Sequence, residues 1–410
     1  MKVLISAYAC APFQGSEPEV GWQWALQMAR FHEVTVLTRT YNREAIEAGL
    51  QTLPPDAPRP DFLYFDCSRP VIFLRHFLHL HHFFFALWQW RARPTVKKAH
   101  RLHRFDLFHH VTFASYRYST AVWGLGAPVI WGPVGGMETI PFRLLPLGDW
   151  KTIFKEIFRN LDRLGKPLLA WRARQADLIL ASMSETQLMF RKMGFEARLC
   201  PTIGIFPAPV SSEPRETGGP LRLLFVGRLM SVKGIILAIE AVARSGREVE
   251  LTVIGSGPSA NVARARAQAL RLQRQVIFRG ALPQQEVLAS YARHHVFIFP
   301  SLYDSGGFAV LEAMSSGLPV ICLDAGGPAL SVNETCGAVI PVGTREEIVA
   351  GLAAAIALYD DDRERLARHG EAARQRVEQV YAWPAKGEAM NRIYSEVTGK
   401  ALAGERTLRS

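Results

Sequence analysis

Two kinds of apolar pattern alternate along the chain. Short, nearly continuous apolar runs are separated by longer stretches in which apolar residues recur at helical spacing. This is the pattern of strands buried on both faces and joined by crossover helices. In the first half, Val3–Tyr8, Glu33–Thr38, Phe62–Phe65, Leu107–Val111, Pro128–Trp131 and Leu178–Ala181 are predicted strands. In the second half the predicted strands are Arg222–Val226, Glu250–Ile254, Val276–Arg279, Val296–Phe299, Val320–Leu323 and Ala338–Pro341. Between the two sets lies Pro201–Pro220, rich in Pro, Gly and Ser, where neither helix nor strand would persist. The expectation is an α/β chain of two doubly wound domains, residues 1–200 and 221–380, with a hinge at 201–220. Residues from Arg345 to Val380 read as helical, Trp383-Pro384 interrupts them, a final helix fills 381–400, and Ala401–Ser410 is expected to fray.

Composition adds bounds to this picture. A length of 410 residues suits two cores, and 49 % apolar with 21 % charged residues excludes a largely disordered chain. The cysteines Cys10, Cys67, Cys200, Cys322 and Cys336 are odd in number and scattered, without the close pairs of a zinc site or a disulfide framework. They are expected to be reduced thiols in a cytoplasmic protein. The first strand follows directly on Met1-Lys2, which leaves no room for the apolar region of a signal peptide. The most apolar stretch, Val71–Trp90, holds Arg75 and four histidines, a poor composition for a bilayer span.

The net charge is +11 and unevenly spread. Cys67–Phe105 carries eight Lys or Arg and no acid, interleaved with Phe73, Phe77, Phe83, Phe84, Phe85, Trp88 and Trp90. Lys151–Arg174 has seven cations against Glu156 and Asp162, with apolar residues at helical spacing. Two readings follow: core-facing helices with solvated basic faces, or attachment to an anionic membrane surface. No helix-turn-helix, zinc-finger or RNP-type signature accompanies the charge, so no nucleic-acid partner is expected.

Candidate chemistry concentrates in the second half. The run Val226-Gly227-Arg228-Leu229-Met230-Ser231-Val232-Lys233-Gly234 leaves a strand and opens a helix, where backbone N–H groups and the helix dipole favour a phosphate. Arg228 and Lys233 could close on it; the plainer alternative is a solvated turn. The Walker pattern is absent, which argues against an ATPase. Further on, Pro300–Met314 sets Asp304 on a glycine-rich loop and Glu312 in the following helix, eight positions later. At the carboxyl end of a parallel sheet such a loop meets ligands, with Gly306 and Gly307 admitting close backbone approach. Asp304 could accept from sugar hydroxyls and Glu312 from a ribose, or they are an ordinary cap and a helix-face acid.

These motifs resemble the retaining, nucleotide-sugar-dependent glycosyltransferases of family 4, also called glycosyl transferases group 1. The resemblance rests on Gly227-Arg228 with Lys233-Gly234, on Ile254-Gly255-Ser256-Gly257-Pro258, and on Asp304 through Glu312 running into Ser316-Gly317-Leu318-Pro319. In the first half it is looser: Gly15-Ser16-Glu17-Pro18, His109-His110 and Trp131-Gly132-Pro133-Val134-Gly135-Gly136. It implies the GT-B fold, two Rossmann-like domains facing each other across a crevice, with a last helix crossing back to the first domain. The C-terminal half would hold the nucleotide sugar through Gly227, Arg228, Lys233, Gly255, Gly306, Gly307, Phe308, Val310, Leu311 and Glu312. Gly15, Ser16, Gly135 and Gly136 would form acceptor and sugar loops in the N-terminal half.

The catalytic set carried over is His109, Asp304, Arg228 and Lys233. Asp304 stands where the family usually has Glu, one methylene longer, so the donor sugar would sit differently or be a different one. His109 and His110 are adjacent in a strand, so alternation sends only one to the crevice, and His109 is favoured. Arg228, Lys233 and helix N-termini would stabilise the departing diphosphate, so no metal or other cofactor is expected. The triplet Asp360-Asp361-Asp362 reads as a polar helix boundary. No second carboxylate is placed as a nucleophile, so no covalent glycosyl-enzyme is expected; the resemblance implies front-face transfer, the acceptor hydroxyl giving its proton to the departing phosphate. The expected function is transfer of a hexosyl unit to a saccharide or lipid-linked acceptor, in cell-surface polysaccharide or glycolipid assembly at the inner face of the membrane. A nucleotide-sugar epimerase or hydrolase, or a non-catalytic sensor, are the alternatives on this fold.

Overall fold

The structure, a computed structural model, describes residues 1–68, 81–137, 166–207 and 218–399. Most of the basic stretch Lys151–Arg174, the middle of the hinge and the C-terminal eleven residues lie outside the described residues.

Among the described residues thirteen strands form two wholly parallel sheets. The first contains β1 (Lys2–Ser6), β2 (Glu33–Thr38), β3 (Asp61–Tyr64), β4 (Leu107–His110), β5 (Val129–Val134), β6 (Leu178–Ala181) and β7 (Ala197–Leu199), in the order β3-β2-β1-β4-β5-β6-β7. The second contains β8 (Leu221–Val226), β9 (Val249–Ile254), β10 (Val276–Gly280), β11 (Val296–Phe299), β12 (Val320–Leu323) and β13 (Gly337–Ile340), in the order β10-β9-β8-β11-β12-β13. Every strand expected from the sequence is present, most of them shifted by one to three residues at an end. Strand β7 was not expected: its three residues include exposed Arg198 and Leu199, and an edge strand of that length leaves no apolar run to read.

The described residues divide into two compact units, one of residues 1–137, 166–204 and 383–399, the other of residues 205–207 and 218–382. In unit 1 the strands alternate their side chains between two cores. Val3, Ile5, Leu107 and Val111 join Trp22, Trp24 and Met28 of the helix Ser16–Ala29 on one face. Leu4, Phe108 and Trp131 join Phe85, Trp88 and Val96 of the helix His81–His103 on the other.

The last helix, Trp383–Thr398, belongs to unit 1 and supplies Trp383, Met390 and Tyr394 to the first of these cores. Trp383 meets Trp24 edge-on at 5.6 Å. The buried ammonium of Lys386 lies over the Trp24 ring and donates to Pro201 O at 2.6 Å. A Cβ at Gly204 would stand 2.8 Å from both Trp383 and Lys386, so only glycine lets the chain leave the unit at this point. Among the described residues no helix is long and apolar enough to cross a membrane.

Candidate functional site

In unit 2, β8 and β11 are neighbours although β9 and β10 separate them in sequence. The chain order reverses between them, and ligands of open parallel sheets bind outside the carboxyl ends of the strands at such a reversal. Both candidate motifs leave the sheet there: Gly227–Gly234 follows β8, and Pro300–Gly307 follows β11.

Backbone bonds lace these loops together. Gly227 N–H donates to Ile254 O at 3.0 Å, Leu229 N–H to Ser256 O at 2.9 Å and Leu302 N–H to Val232 O at 2.8 Å. Two glycines make this closeness achievable. A Cβ at Gly255, where φ is +137°, would fall 1.9 Å from Gly227 O. One at Gly234, with φ +74°, would fall 2.0 Å from Pro300 O.

On this scaffold the side chains of Lys233 and Asp304 meet. Lys233 Nζ lies 2.5 Å from Asp304 Oδ2 and donates to Tyr303 O at 3.1 Å. Asp304 Oδ1 accepts from Gly306 N–H at 3.0 Å and Gly307 N–H at 2.6 Å, which closes the loop onto the start of the helix Phe308–Ser315. The sequence reading sent Lys233 to a diphosphate and Asp304 to a sugar; the structure makes them partners and turns the two glycine amides toward the Asp304 carboxylate. Both side chains keep about a fifth of their surface in solvent, 19 % and 18 %. Arg228, on the same loop as Lys233, is exposed.

Val310 and Leu311 differ from expectation. Their side chains are buried, at 0 % and 1 % exposure, and Leu311 N–H is spent on Gly307 O at 3.0 Å. They hold the helix to the core, while Phe308 at its first position is exposed. Glu312, one turn on, accepts a hydrogen bond at Oε2 from the hydroxyl of Tyr291, 3.0 Å away. Burial pushes the Glu312 carboxyl above its ordinary range and the Tyr291 bond draws it part of the way back. Tyr291, on the helix Gln284–Arg293, has no place in the sequence reading, because one buried tyrosine in a polar helix carries no motif.

Unit 1 has its own reversal between β1 and β4. Gly15 stands just before the helix after β1 and Ser16 opens it, both with positive φ. Glu17 beside them, also missed from sequence as a site residue, accepts at Oε1 from the backbone N–H of Phe113 in the loop after β4. Burial pushes the Glu17 carboxyl up. Gly135 bridges to Ser115, and Gly136, with φ +98°, lies against Tyr116 and Arg117.

The histidines require a correction. His109 and His110 do point to opposite faces of the sheet, but both are buried, at 0 % and 2 % exposure. His109 Nε2 donates to Gly132 O at 2.9 Å and Nδ1 accepts from the Tyr394 hydroxyl at 2.7 Å. His110 Nδ1 lies 3.2 Å from Ser6 Oγ. Desolvation lowers the two rings to about 4 and about 3, so both are neutral near pH 7. With both nitrogens engaged inside unit 1, His109 is a core histidine rather than one open to a sugar or phosphate.

The aspartate triplet is a helix boundary, as read from sequence. Asp360 pairs with Arg363 and Asp361 with Arg247, each at 2.7 Å, and Asp362 caps the next helix through Arg365 N–H at 2.8 Å.

Part of the sequence, and the fold, are similar to known proteins. Residues 211–376 match the family model of glycosyl transferases group 1. Glycogen synthase of Mycobacterium tuberculosis is 34 % identical over 184 residues, 44 % of each chain. The chain thus spans less than half the length of this curated relative in the match. Over nearly the whole length, the fold matches sucrose-phosphate synthase from Thermosynechococcus elongatus, with a TM-score of 0.60, 18 % identity, and 97 % and 99 % of the two chains covered. It also matches HepE from Anabaena in complex with UDP, with a TM-score of 0.62, 16 % identity, and 97 % and 100 % covered. Two doubly wound parallel sheets in this order are the GT-B fold, and residues 211–376 are similar in sequence to the glycosyl transferases group 1.

Proposed function

We propose that the protein is a retaining glycosyltransferase that moves a hexosyl unit from a nucleoside diphosphate sugar to a saccharide or lipid-linked acceptor. The observation that carries this reading is the meeting of Lys233, Asp304 and the Gly306 and Gly307 amides at the strand-order reversal of unit 2. Arg228 and Lys233 would take the diphosphate, and Asp304 the donor sugar. Glu312 would take the ribose. Breaking the anomeric C–O bond loads charge onto the departing diphosphate, and fixed cations beside it lower that barrier. The acceptor would lose its hydroxyl proton to the departing phosphate on the same face. With two cations in place the reaction is proposed to run without a divalent metal.

We further propose a cytoplasmic enzyme that works at the inner membrane surface, in polysaccharide or glycolipid assembly. The helix His81–His103 supports this. Its buried positions, among them Phe84, Phe85, Trp88, Ala92 and Val96, leave a face on which Phe83 and Trp90 are 61 % and 71 % exposed. Lys97 and Arg101 continue that face toward the C-terminus.

The test is a thermal-shift panel of nucleoside diphosphate sugars, beginning with UDP sugars because the HepE structure holds UDP. A ligand at a hundred times its dissociation constant should stabilise by about 2.7 kcal/mol. Release of nucleoside diphosphate is then followed with and without saccharide acceptors and with EDTA. Release that needs an acceptor and survives EDTA supports the proposal. Turnover without acceptor indicates an epimerase or hydrolase, and loss with EDTA restored by magnesium or manganese removes the metal-free mechanism.

A further inference from the structure

The hydroxyl of Tyr291 is the polar end of a side chain with no exposed surface, and Glu312 Oε2 receives it at 3.0 Å. The ring itself is held by packing, edge-on to Phe297 at 5.9 Å. A phenylalanine would fill that space equally well. Burying a hydroxyl is costly unless it is bonded, so the oxygen is explained by the carboxylate it meets. Glu312 gains in turn. Its helix packs on the helix Gln284–Arg293, and its carboxylate is fixed at one oxygen by a donor that cannot itself move. Among the described residues no other side chain bonds the Glu312 carboxylate, so Oε1 is left to accept from a ligand.

We infer that Tyr291 is a positioning residue for nucleotide selection: it holds Glu312 so that the carboxylate accepts from a ribose hydroxyl, and it thereby sets the preference for ribonucleotide over deoxyribonucleotide donors. This rests on the reading that Glu312 meets the ribose. Tyr291 itself touches no ligand and acts only through Glu312. A carboxylate that must be ordered on binding loses side-chain freedom at that moment, whereas one already held does not.

The experiment uses the full chain and calorimetry with UDP, GDP and ADP, each beside its 2′-deoxy and 3′-deoxy forms. For whichever base binds, the wild type should prefer the ribonucleotide, and Glu312→Ala should remove that preference. Tyr291→Phe, which deletes one oxygen and keeps the packing, should weaken the ribonucleotide by about three- to ten-fold, the range of one hydrogen bond. Its effect on the deoxynucleotide that lacks the relevant hydroxyl should be less than about two-fold. Adding Tyr291→Phe to Glu312→Ala should cost nothing further, since two residues acting through one contact are not additive.

Equal weakening of ribo and deoxy forms by Tyr291→Phe would make the tyrosine merely structural and overturn the inference, as would an unchanged ribonucleotide affinity. So would a full additional loss in the double variant. If instead Glu312→Ala keeps the wild-type preference, the ribose assignment itself fails and takes the inference with it. Binding of no nucleoside diphosphate by the wild type would overturn the donor-domain reading and this inference together.

Discussion

Lys233 Nζ stands 2.5 Å from Asp304 Oδ2, so the cation assigned to a diphosphate and the acid assigned to a sugar are each other's partner. The pair makes Asp304, where the resemblance leads one to expect Glu, a matter of electrostatics as well as reach. A shorter carboxylate closes on the loop amides and the neighbouring ammonium together.

Replacing Asp304 by Asn is therefore predicted to separate nucleotide from sugar binding. The amide oxygen can still accept from Gly306 and Gly307, but it no longer neutralises Lys233. A bare nucleoside diphosphate should bind at least as tightly as to the wild type. The sugar nucleotide should lose relative to it about tenfold or more, the scale of a charge-assisted hydrogen bond of about 1.5–3 kcal/mol. Calorimetry with both ligands decides. Equal weakening of the two would mean that Asp304 supports the loop and does not meet the sugar.

Lys233→Ala should be the more damaging of the two cation deletions. It leaves the Asp304 carboxylate without its partner and removes a charge from a site that retains little solvent, a change that costs about 2–5 kcal/mol in comparable desolvated pairs. Arg228 is exposed, so water compensates more of its loss, and Arg228→Ala should cost about 1–3 kcal/mol in donor use. Initial rates at limiting donor give both figures. Near-normal rates in both variants would remove the phosphate site from this loop.

Much of this was legible in the sequence, for physical reasons that also mark where legibility ends. Buried parallel strands are continuous apolar runs, so β6, β11 and β12 are found at the residues expected. Gly255 and Gly234 stand in positions that a Cβ would block, so their loops carry a spacing that cannot drift. What a side chain meets across the fold leaves no such trace. The bond from Tyr394 to His109 joins positions 285 residues apart, and the one from Tyr291 to Glu312 joins separate helices. Strand alternation correctly sends His109 and His110 to opposite faces, but it does not say that the helix Trp383–Thr398 covers the His109 face.

That covering yields a pH prediction. The His109 and His110 rings are lowered by burial to about 4 and about 3, so in the folded chain their ring signals should not titrate between about pH 7.5 and 5. Unfolded histidines take up a proton near pH 6.5, which the folded rings refuse. Their contribution to stability is thus intact above about pH 6.5 and is lost progressively as the pH falls toward 4. Glu17, whose carboxyl is raised, binds its proton more readily folded than unfolded and offsets part of this loss. Ring carbon and proton shifts by NMR check the point. A midpoint near 6.5 for either residue would put that ring in solvent and restore it as a candidate for the site.

The membrane assignment is carried by one face of one helix. Phe83, Trp90 and Lys97 recur at heptad spacing, which keeps them on one side of the helix His81–His103, and Arg101 follows a turn later. A soluble core explains Phe84, Phe85, Trp88 and Val96, which are buried, and leaves the exposure of Phe83 and Trp90 unexplained. Aromatic anchors followed by cations suit the boundary between acyl chains and anionic headgroups. If that is their use, Lys97, Lys98 and Arg101 together contribute about 3 kcal/mol near an anionic surface, and reversing them to Glu should abolish co-sedimentation with anionic vesicles at low salt. Trp90→Ser with Phe83→Ser should act differently, weakening the attachment that survives at high salt, because apolar burial is not screened. Neutral vesicles provide the reference for both. Wild-type protein that stays in the supernatant with anionic vesicles at low salt would return this face to ordinary solvated surface, and the acceptor would then be sought among soluble saccharides.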